Sequence, residues 1–412
     1  MSRRSLEAHR DAVARHLADA LLPRTDRVGL DLLADPASDL GDLGDLVGRI
    51  LAAPAVAGAD APPFDNSQLD GYAVRAADVR AGTPLPLAPE IAAGSVAAPL
   101  PAGHAAPIMT GAPLPPGADA VVAIERTEGD GFAAHAASGR VVLLVGPSAG
   151  DAVRTAASDL RRGDEVLPAG ARLGPAALGA LAAGAVDSVD LVARPRVAIV
   201  STGRELAAGV RDANGPALAA AVLEAGGLAT RWLHADDEPA AFARLLEDAA
   251  RGADVVVTTG GVSRGTHEVV REALADRGEF VSVGIQPGGP QGLATVEVDG
   301  RDVPVLCFPG NPVSALVSFE LLLRPLLRAA AGMHPAERAT ERRPLAEPVD
   351  SPPELHQVRR GIRAADGTVR LVGGASSHLI GAYARADALV HLPPGLASAP
   401  AGTPVDIWRI DD

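Results

Sequence analysis

The stretch Asp254-Val255-Val256-Val257-Thr258-Thr259-Gly260-Gly261-Val262-Ser263 decides the fold. Its first half is a β-branched run without polar alternation, the pattern of a strand covered on both faces. It stops at a glycine pair, and a helix is expected from Glu268 to Leu274. The same grammar recurs on either side. Val197-Ala198-Ile199-Val200 is a short apolar strand ending in Ser201-Thr202-Gly203, followed by an expected helix at 216–225 that Gly226-Gly227 closes. Residues 228–233 read as a strand, 239–250 as a helix, and 303–308 as a last strand running through Pro309-Gly310-Asn311-Pro312 into an apolar helix at 313–327. Alternating β and α elements with continuous apolar strands imply a mostly parallel sheet with helices on both faces. Ligands of such sheets sit at the carboxyl ends of the strands, where these turns cluster.

Outward from this segment the pattern changes. Residues 54–146 are short β-like runs between Pro and Gly turns, such as Pro84-Leu85-Pro86-Leu87 and Ala120-Val121-Val122-Ala123-Ile124, which read as an all-β insertion. Upstream, Leu6, Val13, Leu17 and Leu21 fit an amphipathic helix, while Arg3, Arg4, Glu7, Arg10, Asp11 and Arg15 interrupt any signal-peptide core. Downstream, an alanine-rich helix is expected at 175–183, with Pro175 in its first turn and Gly184 closing it. Beyond Gly332 a polar linker, 333–343, leads into alternating strands such as 368–372 and 388–392. The expected organisation is a discontinuous N-terminal domain (1–53 with 147–192), the β insertion (54–146), an α/β domain (193–333) and a C-terminal β domain (334–412). No apolar run is long enough to span a bilayer, so a cytoplasmic protein is expected.

Composition narrows the chemistry. All 37 residues counted as Lys+Arg are arginine, which removes Schiff-base lysines, lysine general bases and the Walker-type phosphate lysine. With 51 acidic residues the net charge is −14, so the summed field repels polyanions and nucleic acid is not an expected partner. Any anion must be held locally. The one cysteine, Cys307, lies in the apolar run Val303-Pro304-Val305-Leu306-Cys307-Phe308 and reads as buried filler. It excludes a disulfide framework and a cysteine-ligated zinc site, and the ten histidines show no metal-ligand spacing.

Three turns can take a phosphate-like group without lysine. In Gly260-Gly261-Val262-Ser263-Arg264-Gly265 the glycines let backbone N–H groups approach an anion, or make a tight βα turn and nothing more. Pro309-Gly310-Asn311-Pro312-Val313-Ser314 offers Asn311 as an N-cap, Pro312 in the first turn and the Ser314 hydroxyl near the helix's positive end, or is a cap alone. Ser201-Thr202-Gly203 is the third. Their recurrence at the strand ends of one sheet favours a phosphate-bearing ligand. Carboxylates gather at the same rim: Glu205, Asp212, Asp236, Asp237 and Glu268. Beside an anion pocket they suit a hard divalent cation such as Mg²⁺; singly, each reads as a solvated loop or cap carboxylate. In the β insertion, Asp65, Asn66, Ser67 and Asp70 are more polar than a hairpin requires, whereas Met109-Thr110-Gly111-Ala112-Pro113 reads as a turn.

As a set these residues resemble one family. Asp65-Asn66-Ser67-Gln68-Leu69-Asp70-Gly71-Tyr72-Ala73, Met109-Thr110-Gly111-Ala112-Pro113, Ser201-Thr202-Gly203-Arg204-Glu205-Leu206, Gly260-Gly261-Val262-Ser263 and Pro309-Gly310-Asn311-Pro312-Val313-Ser314 occur in this order in the molybdopterin molybdenumtransferases, which include the C-terminal domain of gephyrin. The resemblance covers nearly the whole chain. It implies a mixed α/β and β multidomain subunit, elongated and usually a homodimer. Its parts would be a three-layer molybdopterin-binding α/β domain, a β insertion, a discontinuous helical/β domain and a C-terminal β-barrel-like domain. The implied activity is molybdenum cofactor biosynthesis: molybdate is inserted into adenylated molybdopterin and AMP released, with Mg²⁺, and the molybdopterin adenylyltransferase is an implied partner. By resemblance, catalytic or orienting roles fall on Asp65, Thr110, Glu205, Asp236 and Glu268, with Glu205, Asp236 and Glu268 on the metal. Binding of pterin nucleotide and oxyanion falls to Ser201, Thr202, Gly203, Gly260, Gly261, Val262, Ser263, Gly265, Pro309, Gly310, Asn311, Ser314, Ser377 and Arg360.

The chain departs from the family pattern at several points. Lys-Pro-Gly-Lys-Pro reads Gln286-Pro287-Gly288-Gly289-Pro290, removing two cations expected to help hold the oxyanion. Glu268 replaces the usual aspartate at the end of Gly265-Thr266-His267-Glu268, and Asp-Ser-Asn becomes Asp212-Ala213-Asn214. Arg264, absent from the pattern, is a candidate to compensate. The alternatives are an altered or inactive paralogue that binds a pterin nucleotide, and a structural scaffold.

Overall fold

A computed structural model describes residues 3–34, 43–91, 94, 98–203, 209–235, 238–263 and 268–411. Glu205, Asp236, Asp237, Arg264 and Gly265 lie outside the described residues. The chain forms two compact units, residues 1–26 with 192–412, and residues 27–191.

The first unit is organised by a six-stranded sheet. Strands β1 (Arg196–Thr202), β2 (Leu228–Ala235), β3 (Val255–Thr259), β4 (Gly278–Ser282), β5 (Pro290–Val298) and β6 (Arg301–Phe308) lie in the order β2-β1-β3-β6-β5-β4. The first four in that order are parallel; β5 and β4 extend the sheet antiparallel. Successive residues of one strand enter opposite cores. Val255 and Val257 pack with Leu218, Val222, Val313 and Phe319, whereas Val256 packs with Phe242, Leu246 and Cys307. Helices therefore cover both faces, as the apolar strands require: α2 (Asn214–Glu224) and α5 (Pro312–Ser318) on one, α3 (Pro239–Ala250) and α4 (Val269–Ala273) on the other. Burying each valine is worth roughly 1.5–3 kcal/mol. Upstream, α1 (Leu6–Leu17) sets Val13 and Leu17 into the first core, and the Ser5 hydroxyl caps it by accepting from Ala8 N.

Two features depart from the sequence reading. The antiparallel pair β4–β5 was not expected: the sequence reading passed from the helix at 268–274 to the strand at 303–308 and assigned no strand between them. The expected helix at 313–327 is instead α5 and α6 (Arg324–Ala330) joined by a π turn at Phe319–Leu323. That turn places Glu320 in the interior, where its carboxylate accepts a forked pair from Arg338 Nε and Nη2, each at 3.0 Å.

Strands β7 (Thr340–Pro344), β8 (His356–Arg363), β9 (Ala388–Leu392) and β10 (Pro404–Arg409) form a second sheet, order β8-β9-β10-β7. The short strand Ile285–Gln286, which arises between β4 and β5, pairs parallel with β8, setting Gln286 opposite Gln357.

The second unit centres on Gly71–Val74, flanked antiparallel by Ala106–Ile108 and Ala120–Ala123. A Cβ on Gly71 would lie 2.0 Å from Val122 O, so Asp70-Gly71 is fixed by close backbone approach. The all-β insertion also holds a helix, Phe132–Ser138, because Tyr72 has a partner there. His135 Nε2 lies 2.7 Å from Glu128 O, which can only accept, so Nε2 carries the proton and Nδ1 accepts from Tyr72 OH at 2.6 Å. Burial pushes the Tyr72 phenol up to about 12. Helix Pro175–Ala183 has Pro175 in its first turn and Gly184 at its C-cap, as expected.

Asp254, at the foot of β3, is 1% exposed and accepts from Arg24 Nη2 and from Arg196 N and Nη2. Burial alone would raise its pKa, but the hydrogen bonds from Arg24 and Arg196 outweigh burial and hold the carboxyl below its ordinary range. A depressed carboxylate stabilises fully above its unfolded pKa of about 3.9 and loses that contribution as pH falls through the folded value. Asp254→Asn should therefore lower stability by about 1–3 kcal/mol at neutral pH, with the gap to wild type closing in acid. Urea midpoints for both proteins at neutral and acidic pH test this; a pH-independent gap contradicts it.

Candidate functional site

Strand β2 lies on one side of β1 and β3 on the other, so the connections diverge at β1 and a ligand crevice opens above the carboxyl ends of β1 and β3. Three turns meet there. Thr202 Oγ1 donates to Thr259 O at 3.0 Å, and Gly260 N donates to Phe308 O at 3.0 Å. Asn214 Nδ2, from the first turn of α2, donates to Gly310 O at 2.7 Å. Gly260 has φ +90°, and a Cβ on it would lie 2.6 Å from Thr202 O and 2.7 Å from Thr202 Oγ1. A Cβ on Gly310 would lie 3.2 Å from Gly260 Cα. The expected residues Ser201, Thr202, Gly203, Gly260, Gly261, Pro309, Gly310 and Asn311 thus share one rim, and Val262 (buried) and Ser263 (exposed) continue it. The Ser201 hydroxyl and Asn214 Oδ1 are buried without a hydrogen-bond partner among the described residues. Buried polar atoms left unpaired cost about 1–3 kcal/mol each, which a ligand would relieve.

Asn311 stands at the N-cap of α5 without making a side-chain capping bond, and Pro312 follows at the first position. The carbonyl of Ser377 takes the capping place, accepting from Val313 N at 3.0 Å. Ser314 is buried in this first turn. The segment that brings Ser377 to α5 also holds Arg360 of β8: its Nη2 donates to Gly374 O at 2.6 Å and Ser376 O at 3.2 Å. Arg360 is fully buried, its Nε and Nη1 have no partner among the described residues, and no described carboxylate pairs with it. Burial, and then the charge of Arg359, lowers its pKa, yet an arginine keeps its charge. An oxyanion is the group that would complete this guanidinium.

At the positions where the resemblance leads one to expect lysines, the groups are neutral. Gln286 Oε1 accepts from Gln357 Nε2 at 2.6 Å, and Gly289 faces the carbonyls of Val283 and Ile285. Asp212 acts as a cap: Oδ1 accepts from Asn214 N and Gly215 N, and Oδ2 from Trp232 Nε1 at 2.8 Å. Asn214 was missed as a site residue, although Asp212-Ala213-Asn214 was the signal for it. Glu268 stands at the N-cap of α4 and is engaged in an interaction there. Among the described residues no three His, Cys, Asp or Glu side chains form a metal-sized cluster. Cys307 is buried, which pushes its thiol up to about 12 and leaves it no role as a nucleophile.

In the second unit, Asp65 Oδ1 accepts from Ala156 N at 2.7 Å. Thr110 is oriented by Asp70, whose Oδ1 accepts from Thr110 N at 2.7 Å and Oγ1 at 2.9 Å; these two bonds hold the Asp70 carboxyl below its ordinary range.

A mostly parallel sheet with glycine turns around the crevice at its switch point, followed by a β sheet carrying a buried arginine that no described carboxylate pairs, has the architecture of nucleotide- and oxyanion-binding proteins. Comparison with known proteins is more specific. Three family profiles match in succession: the MoeA N-terminal region (domain I and II) over residues 5–184, a probable molybdopterin binding domain over 198–329, and the MoeA C-terminal region (domain IV) over 342–410. Molybdopterin molybdenumtransferase 2 of Mycobacterium tuberculosis is 38% identical over 386 residues, covering 88% of this chain and 93% of that protein. A molybdopterin molybdenumtransferase of Nostoc is 34% identical over 401 residues, 90% of this chain and 89% of the relative. The crystal structure of a molybdopterin biosynthesis MoeA protein from Pyrococcus horikoshii superposes with a TM-score of 0.71 at 27% identity, covering 97% of this chain and 99% of that one. The chain belongs to the molybdopterin molybdenumtransferase family.

The rim depends on Gly260 having no side chain. Gly260→Ala combines a left-handed backbone with a backbone clash and should destabilise by about 3 kcal/mol. Gly300→Ala, also at positive φ (+73°) but with nothing within 4 Å, should cost about 1 kcal/mol. Denaturant midpoints measure both, and equal costs would refute the close approach.

Proposed function

We propose that the protein is a molybdopterin molybdenumtransferase, inserting molybdate into adenylated molybdopterin with release of AMP. Its membership of the family along nearly the whole chain supports this, and the scaffold and inactive-paralogue alternatives are not favoured. One observation carries the oxyanion half: Arg360, fully buried and without an acidic partner among the described residues, beside the segment whose Ser377 closes on α5. In this reading the rim of Ser201, Thr202, Gly203, Gly260, Gly261, Val262, Ser263, Pro309, Gly310 and Asn311 receives the pterin nucleotide, with Gly265 given the same role by resemblance and with Ser201 and Asn214 supplying polar atoms unpaired among the described residues. Arg360, Ser314 and Ser377 receive molybdate. Asp65 and Thr110, the latter fixed by Asp70, orient the ligand.

Carboxylate and hydroxyl oxygens, such as those of Glu268 and the unpartnered Ser201, are the hard donors that Mg²⁺ takes, so the donor chemistry fits. Glu205, Asp236 and Glu268 would hold the ion, which when bound neutralises charge on phosphoryl oxygens. The same proposal includes the four-domain partition, a cytoplasmic homodimer, and handover of substrate from the molybdopterin adenylyltransferase. Among the described residues no helix is long and apolar enough to cross a membrane.

The direct test is AMP release from adenylated molybdopterin with Mg²⁺ and molybdate or tungstate. Wild type should release AMP and form active cofactor, and Glu268→Ala should slow it by about tenfold or more; no release from wild type with either oxyanion overturns the reading. Arg360→Met gives a second readout. Wild type should rise in melting temperature with molybdate; removing a buried charge that no described carboxylate compensates should leave the ligand-free fold unchanged or stabilise it by up to about 2 kcal/mol, while abolishing that rise. A molybdate shift that survives in Arg360→Met would remove Arg360 from the site.

A further inference from the structure

The turn Gly260-Gly261-Val262-Ser263 borders a second cavity of about 810 Å³, whose lining includes Arg3, Arg4, Arg271, Val262, Ser263 and Phe280. Its charge runs against that of the chain: three guanidinium groups share the wall with a single carboxylate, Glu279, in a protein of net charge −14. Each cation is held by the fold. Arg271 N donates to Gly261 O at 3.0 Å, anchoring this residue of α4 directly on the glycine turn. Its guanidinium carbon lies 5.6 Å from the centroid of the Phe280 ring, a stacking that orients the planar donor fork. No carboxylate pairs with Arg271 among the described residues. Arg4 N donates to Ser282 O at 2.9 Å, so that the N-terminal segment bridges onto Val283, and its guanidinium takes up the Glu279 carboxylate. Arg3 reaches Glu354 at 3.7 Å, with both side chains half-exposed.

An oriented arginine without an acidic partner among the described residues, in a cationic cavity lined by Val262 and Ser263 just after the glycine pair, is a site for a phosphoryl group. The volume exceeds what a bare phosphate needs and falls in the range of small-molecule sites. We propose that this cavity binds a phosphoryl group of the pterin nucleotide, with Arg271 as its principal ligand and Arg4 and Arg3 supplying the surrounding field. It rests on the reading of the protein as a molybdenumtransferase, and extends the ligand from the crevice across Val262 and Ser263 into a pocket on the far side of the turn.

The test is calorimetric titration of the full chain with inorganic pyrophosphate and with AMP, for wild type, Arg271→Ala, Arg271→Lys and Arg360→Met. Near-ultraviolet circular dichroism confirms that each variant is folded. Arg271→Ala should weaken pyrophosphate binding about tenfold or more, with a shallower dependence on salt, and Arg271→Lys should recover part of the loss. Affinity in Arg271→Ala within about twofold of wild type, absence of pyrophosphate binding by wild type, or loss confined to Arg360→Met each overturns the proposal. AMP release by wild type separates the two levels. Turnover with Arg271-independent pyrophosphate binding removes the pocket and keeps the enzyme; Arg271-dependent binding without turnover keeps an anion pocket and removes the reading on which it was placed.

Discussion

No atom can be added to Gly260. The Thr202 carbonyl stands 2.6 Å from where its Cβ would be, and Gly310 packs on it from the next strand. Backbone rests against backbone at this point, so β1, β3 and β6 end together and offer peptide groups and short hydroxyls to the crevice. The level at which they end is set below, in the core. Val255 and Val257 enter one apolar layer and Val256 the other, and a slip of one residue would exchange the layers along the whole strand. Packing of the sheet fixes the register, and the register fixes the rim.

The second constraint is electrostatic. A chain of net charge −14 with no lysine can set a permanent side-chain cation against an anion only where arginine is held against the overall field. Arg360 is buried on two carbonyls, Gly374 O and Ser376 O, which satisfy one nitrogen and neutralise nothing. A lysine in that environment could release its proton and become neutral, as buried lysines do. Arginine cannot, so the charge persists and its unsatisfied donors persist with it. Without a ligand the arrangement is a stability debit of the kind that concentrates at binding sites.

Much of this was legible in the sequence. The four parallel strands and the glycine turns were read from apolar runs ending in Gly203, Gly260-Gly261 and Gly310, because covered strands and tight turns have local signatures. Arg360 and Ser377 came from resemblance, since nothing local marks a residue whose role depends on a partner segment, whereas Ser314 was also marked by the turn that opens its helix. What stayed hidden was non-local. Strand Ile285–Gln286 is two residues long and exists only because β8 is beside it. The π turn follows from burying Glu320 against Arg338, 18 residues away. Asn214 is defined by a contact with Gly310, 96 residues on. Arg271 takes its setting from Gly261 and Phe280, contacts that no local pattern announces.

The pairing of Ile285–Gln286 with β8 also explains how this chain accommodates neutral residues where its family pattern has lysines. Gln286 and Gln357 face each other in register and satisfy each other through one amide hydrogen bond. The other Gln357 atom, Oε1, is buried without a partner among the described residues, an acceptor of the kind an ammonium group would satisfy. At position 289 the loop has no side chain, and its neighbours are carbonyl oxygens, which repel an anion. In the proposed oxyanion site the described positive charge is therefore that of Arg360, whose flat fork selects for geometry as well as charge. A site built this way should depend on that side chain more steeply than one sharing its charge among several flexible lysines, because its planar donor fork is held in place by the Gly374 and Ser376 carbonyls.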